Sequence, residues 1–502
     1  MQFPRGFTLL CLLLLWRLIS VFVVQTAHVP DEYWQSLEVA HRMAFGYGHL
    51  TWEWTLMIRS YLYPFLISIL YRILAALSLD SVYLLITLPR VFQAILVAYS
   101  DYRLYQWIGC KWALVVLCTN WYWYYCATRT LINSVETACT IIALSMYPWL
   151  GNVKNIKYLW IVGFLCMARP TAMIIWCIPC ALHVYWLRKE QFLLKYVLIC
   201  SSCFWISVLI DSYFYGKLVI TLLRFYQVNV IEDVASAYGR ENILWYVTTG
   251  IPVVLGLYCI PFAMNVWRVF RYSRVFRLEK FMFWIILIVL MIYSLQPHKE
   301  FRFILPLLPL FIYVGSASCC NLNMMTSRAC WCFATLLLCS NLLAGIYFSS
   351  IHQRGTLDVM NYLRDEISHA NASSTDTLIL TPCHATPLYS HLHVDAPITF
   401  LTCEPNFTSH FDTRGNGRLV QSKFFEDPLD WLYYYFDHYH FKRHKLPTYV
   451  IAFDNVAKKI TPFISRFNYR VIAKVFHTHF PQTNYGEYIF LFKQNPKSKI
   501  VH

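Results

Sequence analysis

Charge is scarce in these 502 residues: Asp, Glu, Lys and Arg together make up 14%, against about 25% in an average soluble domain. With 58% apolar residues, that scarcity excludes a disordered chain, a small disulfide scaffold and an ordinary cytosolic enzyme. Also missing are a Gly-rich phosphate loop, a Rossmann fingerprint, HExxH and GxSxG, and with them the chemistries those motifs carry. Most of the 18 cysteines lie in apolar runs; the CxxC of Cys177 and Cys180 and that of Cys200 and Cys203 both fall in such runs, so no metal site is expected. The first apolar run, Phe7 to Val24, is longer than the core of a signal peptide, which would end in a small-x-small cleavage site. The run continues into Gln25-Thr-Ala-His28 and reads as an uncleaved anchor, with a cleaved signal peptide as the alternative.

What is present is a succession of long apolar runs from residue 7 to about 349, so lipid is the main solvent of this part of the chain. Residues 352–502 change character, gaining His, Asp, Asn and Pro, with strand-like stretches at Thr377–Thr381, Thr448–Phe453 and Tyr488–Phe492. The expected fold is an all-α polytopic membrane protein, residues 1–351, followed by a luminal α/β domain, residues 352–502. The two N-x-S/T sequons, at Asn371 and Asn406, both fall in that last third and point to N-glycosylation in a lumen. Cys383 and Cys403 lie there too, and an oxidising lumen would allow them to pair as a disulfide.

Sidedness follows by counting back from a luminal C-terminus. The loop from Arg268 to Lys280 then faces the cytoplasm, and it carries five basic residues against one acid, as the positive-inside rule requires. Continuing to the N-terminus gives eleven spans, including 108–126 and 303–318, with the N-terminus cytoplasmic. The sum requires that Tyr61–Leu79, with Pro64 and Arg72, lie in the interface or re-enter, which makes 25–81 one luminal loop. Much of the net charge of +15 thus fixes orientation and gives no reason to propose nucleic acid.

The polar residues gather at the luminal edge. Pro30 followed by acids predicts a helix start, with Asp31 in its first turn and Gln35 and Glu38 following at helical spacing. Glu32 points about 100° away. The plainer alternative for Asp31 and Glu32 is a preference for a helix N-terminus. Pro297-His298-Lys299-Glu300-Phe301-Arg302 sits at the mouth of a span, where such groups are functional or mutually paired. Arg169 before Pro170, and Arg129 with Asn133 and Glu136 beyond it, are further candidates or interfacial anchors. A carboxylate facing several cations at a membrane edge suits a lipid-phosphate substrate: the cations hold phosphate while the carboxylate takes a proton from a hydroxyl. One base suffices when the leaving group is an already anionic phosphate, whereas a glycosidase needs a second carboxylic acid.

These residues carry a family resemblance. His28-Val-Pro-Asp-Glu-Tyr-Trp-Gln35, Tyr47-Gly-His-Leu-Thr-Trp-Glu-Trp54, Arg59-Ser-Tyr-Leu-Tyr-Pro64 and His298-Lys-Glu-Phe-Arg-Phe303 resemble the hallmarks of glycosyltransferase family 22, the dolichyl-phosphate-mannose-dependent mannosyltransferases. Arg169-Pro-Thr-Ala and Thr128-Arg-Thr-Leu-Ile-Asn also fit, and Thr381-Pro-Cys-His-Ala-Thr-Pro is similar to the branch acting on the glycosylphosphatidylinositol (GPI) precursor. The resemblance implies a GT-C fold in the endoplasmic reticulum membrane. The implied reaction adds the third mannose of the GPI precursor in α1,2 linkage from dolichyl-phosphate mannose, with inversion. Asp31 matches the catalytic acidic position, and Glu32 would support it or contact the acceptor. Arg59, Arg129, Arg169, His298, Lys299, Glu300 and Arg302 would serve the donor phosphate or the acceptor. No bound cofactor is expected. An N-glycan-precursor α1,2-mannosyltransferase is the alternative in the same class, and a polytopic lipid transporter or flippase the alternative in another.

Overall fold

The computed structural model describes residues 6–149, 154–187, 190–272, 277–316, 328–369, 375–404, 420–438 and 446–495; Asn371 and Asn406 lie outside them. The chain divides into two compact units, each assembled from separated stretches. One comprises Met1–Val24, Leu56–Phe65 and Thr87–Tyr347, the other Gln25–Thr55, Leu66–Ile86 and Phe348–His502.

Among the described residues six helices are long and apolar enough to cross a bilayer: Gly6–Val23, Val82–Ile108, Phe192–Tyr215, Tyr246–Arg271, Leu278–Leu295 and Arg328–Ser350. Shorter apolar helices include Ile132–Met146, Tyr158–Ala168 and Ala172–Leu187. The helix Leu62–Ala76 has 15 residues, below the roughly 20 that a span needs. The protein is a multi-pass membrane protein.

Two of the expected spans differ in detail. The single span expected over 108–126 is broken into Lys111–Thr119 and Trp121–Ala127. Asn120 leaves the helical region, its side chain accepts from Trp123 N at 2.8 Å, and its Nδ2 donates to Val254 O at 2.8 Å. An asparagine that caps its own next turn ends a helix that hydropathy alone would continue. The span expected over 303–318 begins instead as a 3-10 turn, Phe301–Leu307, before the helix Leu308–Ser316. Pro306 in that turn has no N–H to give to an α-helical ladder. The arginine inside the first apolar run also finds its reason: Arg17 Nε lies 2.7 Å from Asp101 Oδ2, with both side chains fully buried. Deep in an apolar bundle a charge persists only with such a partner.

The second unit contains a five-stranded sheet: β1 (Thr377–Leu380), β2 (Ile398–Phe400), β3 (Tyr449–Phe453), β4 (Tyr469–Phe476) and β5 (Tyr488–Gln494), in the order β2-β1-β3-β5-β4. β1 runs parallel to β2 and β3, while β5 is antiparallel to both β3 and β4. The three strands expected from sequence are the three central ones. β1 and β3 are buried along their whole length and read as apolar runs. β2 has three residues and β4 is largely exposed in its middle, so neither edge strand shows the same pattern. The helix Gly355–Ser368 buries Val359, Met360, Leu363 and Ile367, a 3.6-period stripe, and packs on β4 and β5. Leu378, Leu380, Phe424, Val450, Phe463 and Phe492 form a core in this unit.

Candidate active site

In the second unit the helix expected after Pro30 is there. Tyr33 N and Trp34 N both donate to Pro30 O at 3.0 Å, and Asp31 stands in the first turn. Tyr33–Leu37 then forms a π-helical turn before the helix Glu38–Phe45, an irregularity frequent at functional sites. Asp31 is half-buried and Glu32 buried. Ser36 Oγ donates to Glu32 O. Gln35 Nε2 donates to Glu53 Oε2 at 3.1 Å.

Glu38, expected on Asp31's face, has a different occupation. Its buried carboxylate accepts from Leu388 N at 2.7 Å, Tyr389 N at 3.0 Å, Ser390 N at 3.1 Å and Ser390 Oγ at 2.6 Å. It thereby holds the start of the turn of helix Tyr389–Leu392, where backbone N–H groups lack intrahelical partners. A second tie runs from Trp34, whose Nε1 donates to His384 O at 3.1 Å while its ring lies 4.5 Å from the His384 ring. His384 has φ of 60°, a left-handed conformation that costs a non-glycine residue energy and that its surroundings must impose. Beside it, Cys383 and Cys403 are joined as a disulfide, their Cα atoms 5.7 Å apart. Cys383, His384 and Cys403 converge within 4.8 Å, but the disulfide engages both sulfurs, so no thiolate is on offer to a cation. The motif around Asp31 and the Thr381–Pro387 motif thus belong to one packed assembly, although their lengths of chain are far apart.

The same unit buries several histidines. His41 Nε2 lies 2.9 Å from His393 Nδ1, and His393 Nε2 lies 3.4 Å from Asp80 Oδ2. Burial, helped by His393, lowers His41 to about 4, and burial with His352 lowers His477 to about 3. Burial also lowers His384 to about 4, with the Asp31 charge opposing and His49 assisting. Each therefore binds a proton more readily unfolded, near 6.5, than folded. Their neutral forms are compatible with full stability above about pH 6.5, and that stability is lost as pH falls towards about 4. At pH 5 the loss for His41 or His477 is on the order of 2 kcal/mol. Thermal melts of the purified protein are expected to shift several degrees lower between pH 7.5 and pH 5; unchanged melting over that interval would contradict it.

In the first unit, Glu300 Oε1 accepts from Arg302 Nη2 at 2.6 Å and shares a 3.1 Å hydrogen bond with His298 Nε2. Burial opposes ionisation of Glu300, but Arg302 and His298 outweigh it and hold the carboxyl well below the usual range. Lys299 Nζ donates to Gln296 O at 2.7 Å and Glu241 O at 3.2 Å. Arg302 O accepts from Asn133 Nδ2 at 3.1 Å, and the Arg302 and Arg169 guanidinium groups lie 5.5 and 5.9 Å from the Phe303 ring. Arg169 Nε is 2.6 Å from Glu136 Oε2. The structure thus brings Asn133, Glu136, Arg169 and the His298–Phe303 segment together. Their mutual pairing positions the cations, since a guanidinium held by one carboxylate presents its remaining N–H groups in a fixed fork.

Arg129 is buried, with Nε donating to Tyr125 O at 2.8 Å and its guanidinium 4.2 Å from the Tyr125 ring. Arg59 O accepts from Tyr215 OH at 2.7 Å. The segment after Arg59 is fixed by Asp211, which accepts from Tyr61 N at 2.7 Å and Ser60 Oγ at 3.0 Å. Asp211 was not among the sequence candidates. Its signal was available: a lone acid near the end of the Phe192–Tyr215 apolar run, where burial of a charge demands a purpose.

The Alg9-like mannosyltransferase family matches residues 8–393. This chain belongs to that family. The mannosyltransferase is 41% identical over 480 residues to GPI mannosyltransferase 3 of Drosophila melanogaster, covering 93% of this chain and 83% of that one. It is 38% identical to GPI alpha-1,2-mannosyltransferase 3 of Bos taurus and 36% to that of Homo sapiens, each covering 96% of this chain and 88% and 86% of theirs. Among solved structures, ArnT from Cupriavidus metallidurans bound to undecaprenyl phosphate is similar over 97% of both chains, with a TM-score of 0.59 at 10% identity. That likeness establishes the fold: the mannosyltransferase has the GT-C architecture, with a small sheet towards the C-terminal end of its chain.

Proposed function

We propose that this mannosyltransferase adds the third mannose to the GPI precursor in the endoplasmic reticulum, in α1,2 linkage, taking it from dolichyl-phosphate mannose. The observation that carries the reading is the shared name of the relatives, GPI mannosyltransferase 3, at identities of 36–41% over nearly all of this chain. Asp31 is the base. It takes the proton from the acceptor mannose 2-hydroxyl as that oxygen attacks the donor's anomeric carbon, and the C1–O bond to phosphate breaks with inversion. The departing dolichyl phosphate is already anionic and needs no acid. Arg169, His298, Lys299 and Arg302 neutralise it, with Arg59 and Arg129 as further cations and Glu300 holding Arg302 and His298 in place. Charges aimed at the phosphate in a partly dry site count for more than in water. Glu32 supports Asp31 or contacts the acceptor. Residues 1–351 form the membrane catalytic part and 352–502 a luminal part, with the N-terminus cytoplasmic and the site luminal; glycosylation of Asn371 and Asn406 would accompany that orientation.

Purified enzyme given dolichyl-phosphate mannose and a two-mannose GPI acceptor is expected to release a three-mannose product whose new sugar is removed by an α1,2-specific mannosidase. A product resistant to that enzyme, or transfer only to an N-glycan lipid precursor, would overturn the reading.

A further inference from the structure

A cavity beside the start of the Asp31 helix has no part in the chemistry above. Its walls include His28, Pro30, Tyr33, Thr356, His477 and Tyr485, all within the second unit. About 20 Å³ is open to the centre of a water-sized group, which admits one such oxygen and is too small for a phosphate. Thr356 and His477 are each 1% exposed. Thr356 Oγ1 and both His477 ring nitrogens are buried without a protein hydrogen-bond partner. Folded proteins seldom leave buried polar groups so, and those that exist call for an explanation.

The surroundings hold these two side chains in place. Gln353 N donates to His477 O at 2.9 Å. A Cβ on Gly355 would stand 2.8 Å from Phe476 O and 3.0 Å from His477 Cβ, so only glycine allows this approach of helix Gly355–Ser368 to the end of β4. The His477 ring lies 4.9 Å from Phe453 and nearly parallel to Tyr485. Buried in this way, His477 is neutral and offers one N–H and one lone pair, while Thr356 offers a hydroxyl. A helix N-terminus favours negative charge, but Asp358 supplies it in the first turn and is bonded to Arg354 at 2.8 Å. The set therefore matches a neutral group that both donates and accepts, which is a hydroxyl.

We infer that this cavity seats one hydroxyl of the acceptor glycan against Thr356 and His477, beside the base that acts on the reactive hydroxyl. The inference rests on the proposed reaction. Pro30, a wall of the cavity, directly precedes Asp31, so a hydroxyl held there fixes the acceptor next to the residue that must reach its 2-hydroxyl. A buried water is the other source of the same chemistry, and the two differ in what they do to kinetics.

The test uses the full chain in detergent with dolichyl-phosphate mannose and two-mannose GPI acceptors, intact and in a series each lacking one hydroxyl. Thr356→Val preserves shape and removes the hydroxyl; His477→Phe removes both nitrogens. The expected result is a KM for the acceptor raised roughly 10-fold or more, an unchanged KM for the donor, and a melting temperature equal to the wild type. One deoxy acceptor should cost the wild type a similar factor and cost Thr356→Val nothing further, and Thr356→Ser should restore affinity. Variants with a lowered melting temperature and an unchanged acceptor KM would show a buried water only, and overturn the inference while leaving the reaction standing. A wild type that transfers no mannose to this acceptor would overturn the reaction as well.

Discussion

Asp31→Asn is expected to lower mannose transfer by roughly 10²–10⁴-fold, the usual worth of a positioned general base, with protein abundance and melting temperature unchanged. The amide has nearly the carboxylate's shape and cannot take a proton. Asp31 is half-buried in the first turn after Pro30, so the substitution opens no cavity and strands no deep charge. Its neighbour Glu32 is 3% exposed, and Glu32→Gln should weaken activity less. The measurement is initial rate per mole of folded enzyme, at saturating donor and acceptor. A rate within a few-fold of the wild type would remove Asp31 from the role of base.

Glu38→Ala should act through stability instead. Four donors converge on that carboxylate, three of them backbone N–H groups at Leu388, Tyr389 and Ser390. Truncation takes the acceptor from the three backbone N–H groups and opens a cavity beside them, while Ser390 Oγ keeps its contact with His391 Nδ1 at 2.9 Å. Leaving a buried donor without its acceptor costs about 1–3 kcal/mol for each such group, and several together are a large share of the roughly 5–15 kcal/mol that typically holds a fold together. The variant is expected to be nearly absent from membranes, and whatever folds should melt well below the wild type. Wild-type abundance and melting would show that the carboxylate does not hold the 388–390 backbone. The contrast with Asp31→Asn matters. Two acids on one short helix should separate cleanly, one losing rate without stability and the other losing stability first.

That separation also shows how far the sequence could be read. Spacing alone put Asp31, Gln35 and Glu38 on one face, because a uniform helix was assumed; the π turn Tyr33–Leu37 and the Glu38 tie to residues 388–390 depend on tertiary contacts that no local pattern carries. The apolar helices were legible because twenty-residue hydropathy needs no tertiary context. The break at Asn120 was not, since its reason includes the Val254 carbonyl. The central strands β1 and β3 were readable as buried runs and β5 as an apolar stretch, whereas the edge strands β2 and β4 carry mixed or short patterns. At the site, the His298–Arg302 cluster was visible as polar residues spent at a membrane edge, and both readings offered for it, mutual pairing and function, are compatible with the pairs found. In the sequence His384 is one residue of a motif and nothing more. Its importance lies in a positive φ, a disulfide beside it and the Trp34 ring, none of which a sequence displays.

The most direct test of the central claim is lipid analysis of cells that lack the third-mannose transferase and receive this chain. Before it is supplied, the GPI precursor should accumulate with two mannoses. With the chain present, that species should be replaced by precursors carrying three or more and surface GPI-anchored proteins should return, whereas Asp31→Asn at equal abundance should leave the two-mannose lipid in place. Persistence of the two-mannose precursor with the abundant wild-type chain would contradict the assigned reaction.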